Sequence, residues 1–139
     1  MKDIKNFVDR LVAIEETADP NRLCGYNHIN IRYDYISPIK AYFLKAHRIK
    51  TITVNIELPE REKEYIIAHE LGHALLHNDR YETLFYKLSK IDAVVEKEAN
   101  TFAMYLLLKR YEDDLQYAWS YDDISRTTGI PKDVLYRYM

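Results

Sequence analysis

The residues best suited to chemistry form one short segment, His69-Glu70-Leu71-Gly72-His73, which is an HExxH motif. In a helix, residues i and i+4 differ by about 40°, so His69 and His73 project from one face a single turn apart. Two imidazoles in that arrangement can bind one Zn²⁺. Glu70 lies about 100° further round, beside the metal, where it can accept a proton from a coordinated water. The motif therefore predicts a zinc site with Glu70 as the general base.

A catalytic zinc ion needs a third protein ligand, and a second helical segment, residues 94–100, offers one. Glu96 and Asn100 are four residues apart and share a face with the small Ala99, which would let two helices approach closely. Glu98 points about 200° away from Glu96, and we expect it to face solvent. We predict Glu96 as the third ligand and Asn100 as the acceptor of a hydrogen bond from a ligand histidine. The competing interpretation is a surface helix with ordinary glutamates.

Two neighbouring residues bear on the class of site. A longer HExxHxxGxxH motif would require histidine at the position of Asp79, so that class is disfavoured. His77 lies on the face of His69, but three ligands from one straight helix cannot converge on a tetrahedral centre. We therefore predict that His77 supports the site or anchors the following loop. A solvated helix that happens to carry histidines is disfavoured, because apolar residues flank the polar stripe on both sides.

Hydrophobic periodicity and helix-capping signals predict the order helix, small sheet, helices, which is an α+β fold. Pro59 suits the first position of the HExxH helix. His47 and Arg48 lie between two strands and predict a hairpin, while Ser120 and Gly129 predict the two ends of a short helix. The predicted helices cover residues 2–16, 59–78, 91–110 and two short segments on either side of Pro131, the predicted strands cover 29–33, 41–44 and 50–56, and a loop of about a dozen residues follows residue 78.

Length and composition set further limits. The chain has 139 residues and a net charge of −2, which fits one domain over residues 1–139 and gives no basic surface for nucleic acid. The first residues have no apolar run, so we expect no signal peptide, and no apolar stretch is long enough to span a membrane. The single cysteine, Cys24, cannot form an intrachain disulfide. We expect it to be a buried thiol of a cytoplasmic protein rather than a catalytic nucleophile.

Three segments together resemble the ImmA/IrrE family of metallopeptidases: Thr-Ile-Thr-Val-Asn at residues 51–55, the HExxH helix through residue 77, and Glu-Lys-Glu-Ala-Asn-Thr-Phe-Ala at residues 96–103. The resemblance covers roughly residues 25–110 and leaves residues 111–139 as a helical tail. It implies that His69, His73 and Glu96 bind zinc and that Glu70 is the catalytic base. It also implies a gluzincin-like fold, with a small antiparallel sheet packed on the HExxH helix and the glutamate-bearing helix. An edge strand could then receive a peptide.

Members of that family that resemble ImmA cleave a helix-turn-helix repressor and so release the genes of a prophage or integrative element. The resemblance thus implies a zinc endopeptidase with a repressor as substrate. The chain departs from the family at residues 106–108, which read Leu-Leu-Leu where many relatives end in Leu-Met-Pro. We expect the wall of the cleft to differ there.

Two alternative functions and one undecided residue role remain to be considered. A non-cleaving zincin-like module could sequester a repressor or antitoxin-like partner. Residues 123–135 have a pattern similar to the start of a helix-turn-helix motif. Residues 109–139, however, contain five Lys and Arg and six Asp and Glu, so we expect no direct contact with nucleic acid. The donor that would stabilise the oxyanion is open among Tyr26, Tyr65 and Tyr105.

Overall fold

The computed structural model describes residues 3–77 and 93–139. Within these ranges the fold is α+β, as predicted, with one three-stranded sheet. The predicted loop after residue 78 lies outside the described residues. The elements are α1 (Ile4–Glu15), α2 (Pro20–Tyr26), β1 (Ile29–Asp34), β2 (Ala41–Ala46), β3 (Ile49–Asn55), α3 (Glu60–Leu76), α4 (Ala93–Arg110), a 3-10 turn (Asp114–Tyr117), α5 (Tyr121–Thr128) and α6 (Lys132–Tyr138). None of the described helices is long and apolar enough to cross a bilayer.

Helix α2 is an element that the sequence analysis did not predict. Its N-cap is Asp19, whose carboxylate accepts a hydrogen bond from the backbone N–H of Asn21 at 2.9 Å, and Pro20 occupies the first turn. An Asp-Pro pair can start a helix, with Asp as the N-cap and Pro in the first turn, and residues 19–20 carry that signal. Leu23 and Cys24 of α2 are fully buried, which confirms the predicted buried thiol.

The sheet has the order β1-β3-β2. The predicted hairpin is confirmed: β2 and β3 are antiparallel, and His47 and Arg48 at its turn adopt positive φ values of 52° and 67°. Strand β1, however, pairs parallel with β3, so the implied antiparallel sheet is wrong in that half. The reason is that residues 35–40 carry the chain from one edge of β3 to the other. Strand β1 therefore runs antiparallel to β2 and parallel to β3.

A buried asparagine holds residues 35–40, the segment between β1 and β2, in place. Asn55 ends the central strand β3, and its side-chain amide donates hydrogen bonds to Ser37 Oγ at 2.8 Å and to the carbonyl of Ile39 at 3.0 Å. Its Oδ1 accepts from the backbone N–H of Glu57 at 3.0 Å. Because all these partners lie in the segments that enter and leave the sheet, Asn55 fixes the chain on both sides of β3.

The two long helices α3 and α4 pack closely against each other. Gly72 of α3 faces Phe102 of α4, and a Cβ atom at position 72 would lie only 2.9 Å from Phe102 Cδ1. The small Ala99 and Ala103 of α4 are also fully buried. The glycine inside the HExxH motif thus allows the approach that brings the glutamates of α4 to the histidines of α3.

The C-terminal helices α5 and α6 pack on the same core. Ser120 is the N-cap of α5, as predicted, and its Oγ accepts a hydrogen bond from Asp123 N at 3.2 Å. Helix α5 ends, as predicted, at Gly129 in the left-handed conformation with φ 79°. Ile130 and Leu135 are fully buried in the cluster that also contains the side chains of α3 and α4. Residues 120–139 therefore contribute to the hydrophobic core.

Candidate metal centre

Helix α3 places His69 and His73 on one face, one turn apart, as their spacing predicts. Their rings meet edge to face, with centroids 4.8 Å apart, and their Nε2 atoms lie 3.2 Å from each other. His73 is 1% exposed, whereas the side chain of His69 is 12% exposed. The pair therefore has a closed side at His73 and a more open side at His69.

Helix α4 places the carboxylate of Glu96 against the Nε2 atoms of His69 and His73. Its Oε1 lies 2.9 Å from His73 Nε2, and its Oε2 lies 3.2 Å from His69 Nε2. Burial by itself raises the pKa of Glu96, but hydrogen bonds to His69 and His73 and the charges of both imidazoles outweigh it. The pKa of Glu96 is consequently well below its usual range. The carboxylate is ionised at neutral pH and can act as an anionic ligand.

The chemistry of these three donors fits a metal ion. One ligand atom from each of His69, His73 and Glu96 can be chosen so that all lie within 4.8 Å of one another. Zinc ligands at about 2.0–2.1 Å in a tetrahedron lie about 3.3 Å apart. The two Nε2 atoms lie 3.2 Å apart, and each lies close to a different oxygen of Glu96, His73 to Oε1 at 2.9 Å and His69 to Oε2 at 3.2 Å, so each of these pairs is near that value. Two imidazoles and one carboxylate are also the donor set of a catalytic site that keeps a fourth position open.

Glu70, the predicted base, follows His69 directly on α3. Its side chain is almost completely buried, with 1% of the residue exposed. A buried carboxylate is costly unless a charge or hydrogen bond compensates it, so such residues concentrate at functional sites. The burial of Glu70, which directly follows the candidate ligand His69 in the chain, is consistent with that pattern.

Asn100 has a different partner from the one that we predicted. Its Oδ1 accepts a hydrogen bond from the hydroxyl of Tyr65 at 3.0 Å, not from a ligand histidine. The Tyr65 ring in turn stacks near the imidazole of His69, with centroids 6.2 Å apart and planes inclined by 26°. Tyr65 therefore links Asn100 to the side of the histidine pair at His69. The helical register was right, but a tyrosine one turn before His69 occupies the space between the two side chains.

The three tyrosines left open as oxyanion donors occupy different places. Tyr65 is buried and contacts His69, and burial together with the charges of Asp133 and Glu96 raises its pKa, so its hydroxyl keeps its proton. Tyr26 is exposed at the end of α2. Tyr105 lines a groove between α1 and α4, nine residues and thus about 180° round α4 from Glu96. Of the three, Tyr65 has the position that suits the centre.

The expectation that Glu98 faces solvent is wrong. Glu98 is 8% exposed, and its Oε1 lies 3.1 Å from His77 Nε2. His77 Nδ1 in turn lies 3.2 Å from His73 Nδ1, so His77 contacts a candidate ligand, as the predicted supporting role requires. The expectation failed because α4 is buried on several sides and not only on the face that carries Glu96. The predicted supporting role of His77 was the one sequence signal that could have pointed to a carboxylate partner for it.

Comparisons with known proteins show the family of the chain. The chain belongs to the peptidase family Peptidase_M78, described as the IrrE N-terminal-like domain, whose model matches residues 24–137. This confirms the resemblance drawn from the three sequence segments. A relative from Bacillus phage phi105, named "Uncharacterized immunity region protein 2", is 36% identical over 137 residues, which cover 94% of this chain and 85% of the relative.

Proposed function

We propose that this chain is a zinc-dependent endopeptidase. The observation that carries the proposal is the convergence of His69, His73 and Glu96, in which one ligand atom from each residue lies within 4.8 Å of the others. Membership of a peptidase family supports hydrolysis of a peptide bond as the reaction. We further propose that the fold is gluzincin-like, with the substrate backbone added to an edge strand of the sheet.

Each residue has a separate task in the proposed reaction. His69, His73 and Glu96 hold the zinc ion, which when bound acts as a Lewis acid and makes water more acidic. Glu70 accepts the proton of the attacking water and passes it to the leaving amine, so that no free hydroxide or amide anion is released. The ring of Tyr65 lies near His69, and its hydroxyl can donate to developing negative charge once its single proton turns away from Asn100.

We propose a repressor with a helix-turn-helix domain as the substrate, whose cleavage derepresses prophage or mobile-element genes. The 36% identical relative is named as an immunity region protein of a phage, which supports a role in the control of phage genes. The net charge of −2 supports a protein partner rather than direct contact with nucleic acid. Such a reaction takes place in the cytoplasm, where repressors bind DNA.

The decisive experiment uses Glu70→Gln. Glutamine keeps the size of the side chain but removes the proton acceptor, so we expect near-normal folding and zinc content and a loss of cleavage by about 10²–10⁴-fold. The chain is co-expressed with the helix-turn-helix protein encoded beside it, and the length of that partner is followed on a gel. Glu60→Gln, an exposed position in the first turn of the same helix, is the matched control and should cleave normally.

The same experiment separates cleavage from sequestration. If wild type and Glu70→Gln relieve repression equally while the partner stays at full length, the site does not cut. The non-cleaving binding module would then replace the peptidase.

A further inference from the structure

A row of three polar side chains leads from the candidate metal centre into the protein. His73 Nδ1 lies 3.2 Å from His77 Nδ1, and His77 Nε2 lies 3.1 Å from Glu98 Oε1. All three residues are buried. The row crosses from α3, through the residue that caps it, to the first turns of α4. It therefore connects the same two helices that supply the three candidate ligands.

When a cation occupies the centre and Glu98 is ionised, the hydrogen-bond chemistry of this row has one consistent solution. An ionised carboxylate only accepts, so Glu98 requires the proton on His77 Nε2. A neutral His77 then has its lone pair on Nδ1 and must accept from His73 Nδ1–H. His73 in that tautomer has its lone pair on Nε2, the atom 2.9 Å from Glu96 Oε1 and 3.2 Å from His69 Nε2.

We propose that Glu98 and His77 are positioning residues that set the tautomer and the ring orientation of His73. This inference rests on the proposed zinc site and adds to it a carboxylate that ends the row. With Nδ1–H held by His77, His73 presents a lone pair to the centre. The lone pairs of His73 Nε2 and Glu96 then face each other, an arrangement that a cation between them stabilises.

Burial explains why the carboxylate of Glu98 needs the hydrogen bond to His77. Glu98 is withdrawn from water, and a buried carboxylate is stable only when it is hydrogen-bonded. Its hydrogen bond to an imidazole N–H is charge-assisted and also makes His77 a stronger acceptor for His73. Partners of this kind typically change metal affinity by about 10–100-fold.

The first test measures zinc affinity by competition with a chelator in the full chain. We expect Glu98→Ala and His77→Phe each to weaken zinc binding by about 10–100-fold. Glu98→Gln should lose much less than Glu98→Ala, because its amide oxygen still accepts from His77 Nε2–H. The control is Glu64→Ala, a partly buried glutamate of α3 that pairs with Arg110 at 2.8 Å and should leave zinc affinity unchanged.

The second test needs no substitution and reads the tautomers directly. Long-range ¹H–¹⁵N spectra of the zinc-loaded protein should show the proton of His77 on Nε2 and that of His73 on Nδ1. A His77 proton on Nδ1, or a Glu98→Ala affinity within about twofold of wild type, would overturn the proposal. Failure of the wild type to bind zinc would overturn both this proposal and the proposed site. Tight zinc binding without cleavage of any partner would remove only the peptidase function.

Discussion

The carboxylate of Glu96 contacts both histidines of the motif, so its removal tests the ligand set most directly. We expect Glu96→Ala to weaken zinc binding by more than about 100-fold, beyond the usual effect of a residue that only supports a ligand. Equilibrium dialysis followed by elemental analysis measures the affinity. Glu112→Ala, at an exposed position just after α4, should bind zinc like the wild type. Equal affinity in both variants would mean that Glu96 is not a ligand.

Cys24 provides a second prediction at the residue scale. Burial, with a smaller contribution from the charge of Asp19, raises the pKa of its thiol to about 12. The thiolate is the reactive form, and it is scarce at any pH well below that value. We expect Ellman's reagent to modify Cys24 very slowly in the native protein at pH 8 and at once in denaturant. Rapid native modification would show that α2 opens readily and that the thiol is not held in the core.

The residues of the centre differ in how well the sequence predicts them. His69 and His73 follow from helix geometry alone, because both lie on one regular helix. Glu96 required the added observation that small residues on its face permit close packing. Glu98 could not be predicted in the same way, because α4 is buried on several sides and its residue spacing does not show which of them faces His77.

At the scale of elements, the contact between α3 and α4 decides whether the ligands meet. Gly72 permits this contact, since a Cβ atom there would overlap Phe102. We expect Gly72→Ala to lower the free energy of unfolding by about 1–3 kcal/mol, because the core must make room for the methyl group. Zinc affinity should also fall, since α4 carries Glu96 away as it moves. Urea unfolding and chelator competition measure the two effects.

The matched control for that substitution is Gly25→Ala in α2. A Cβ atom at position 25 meets no atom within 4 Å, and Gly25 is not among the residues with positive φ. We therefore expect it to be neutral or to stabilise the protein by up to about 1 kcal/mol, with unchanged zinc affinity. Should Gly72→Ala behave like Gly25→Ala, the glycine of the motif would not be what sets the spacing of the two helices.

The sheet shows what hydrophobic patterns leave undetermined. The alternation at residues 29–33 correctly predicts a strand, and the hairpin turn at His47 and Arg48 correctly predicts an antiparallel pair. The direction of β1 could not be predicted, because alternating side chains mark the two faces of a strand equally in parallel and antiparallel pairs. The direction of β1 relative to β3 depends instead on the path of residues 35–40. Asn55 holds this segment in place through tertiary hydrogen bonds.

At the scale of the whole molecule, polar contacts and apolar packing join segments that are distant in the sequence. Arg110 at the end of α4 pairs with Glu64 of α3 at 2.8 Å and with Asp19, the N-cap of α2, at 3.4 Å. Tyr111 donates a hydrogen bond to the same Glu64. Ile130 of the C-terminal segment is fully buried in the core. We therefore expect the C-terminal helices to unfold together with the helices of the metal centre.

Gly129 is the residue at which this expectation can be tested. It has φ 79°, a conformation that costs a non-glycine residue about 1–2 kcal/mol, and a Cβ atom there would collide with the backbone carbonyl of Arg61 in α3. Backbone cannot move aside as a flexible side chain can. We expect Gly129→Ala to lower the free energy of unfolding by more than the conformational cost alone, and to displace the segment that holds Ile130 in the core.

The measurement is urea unfolding of the zinc-free protein, followed by circular dichroism, with Gly25→Ala as the matched glycine-to-alanine control. If the C-terminal helices are part of one cooperative unit, Gly129→Ala shifts a single transition to lower urea while the slope stays that of the wild type. If they fold separately, the variant loses a fraction of its helical signal before the main transition, which keeps its midpoint. The second outcome would mean that residues 120–139 dock on a core that is already complete without them.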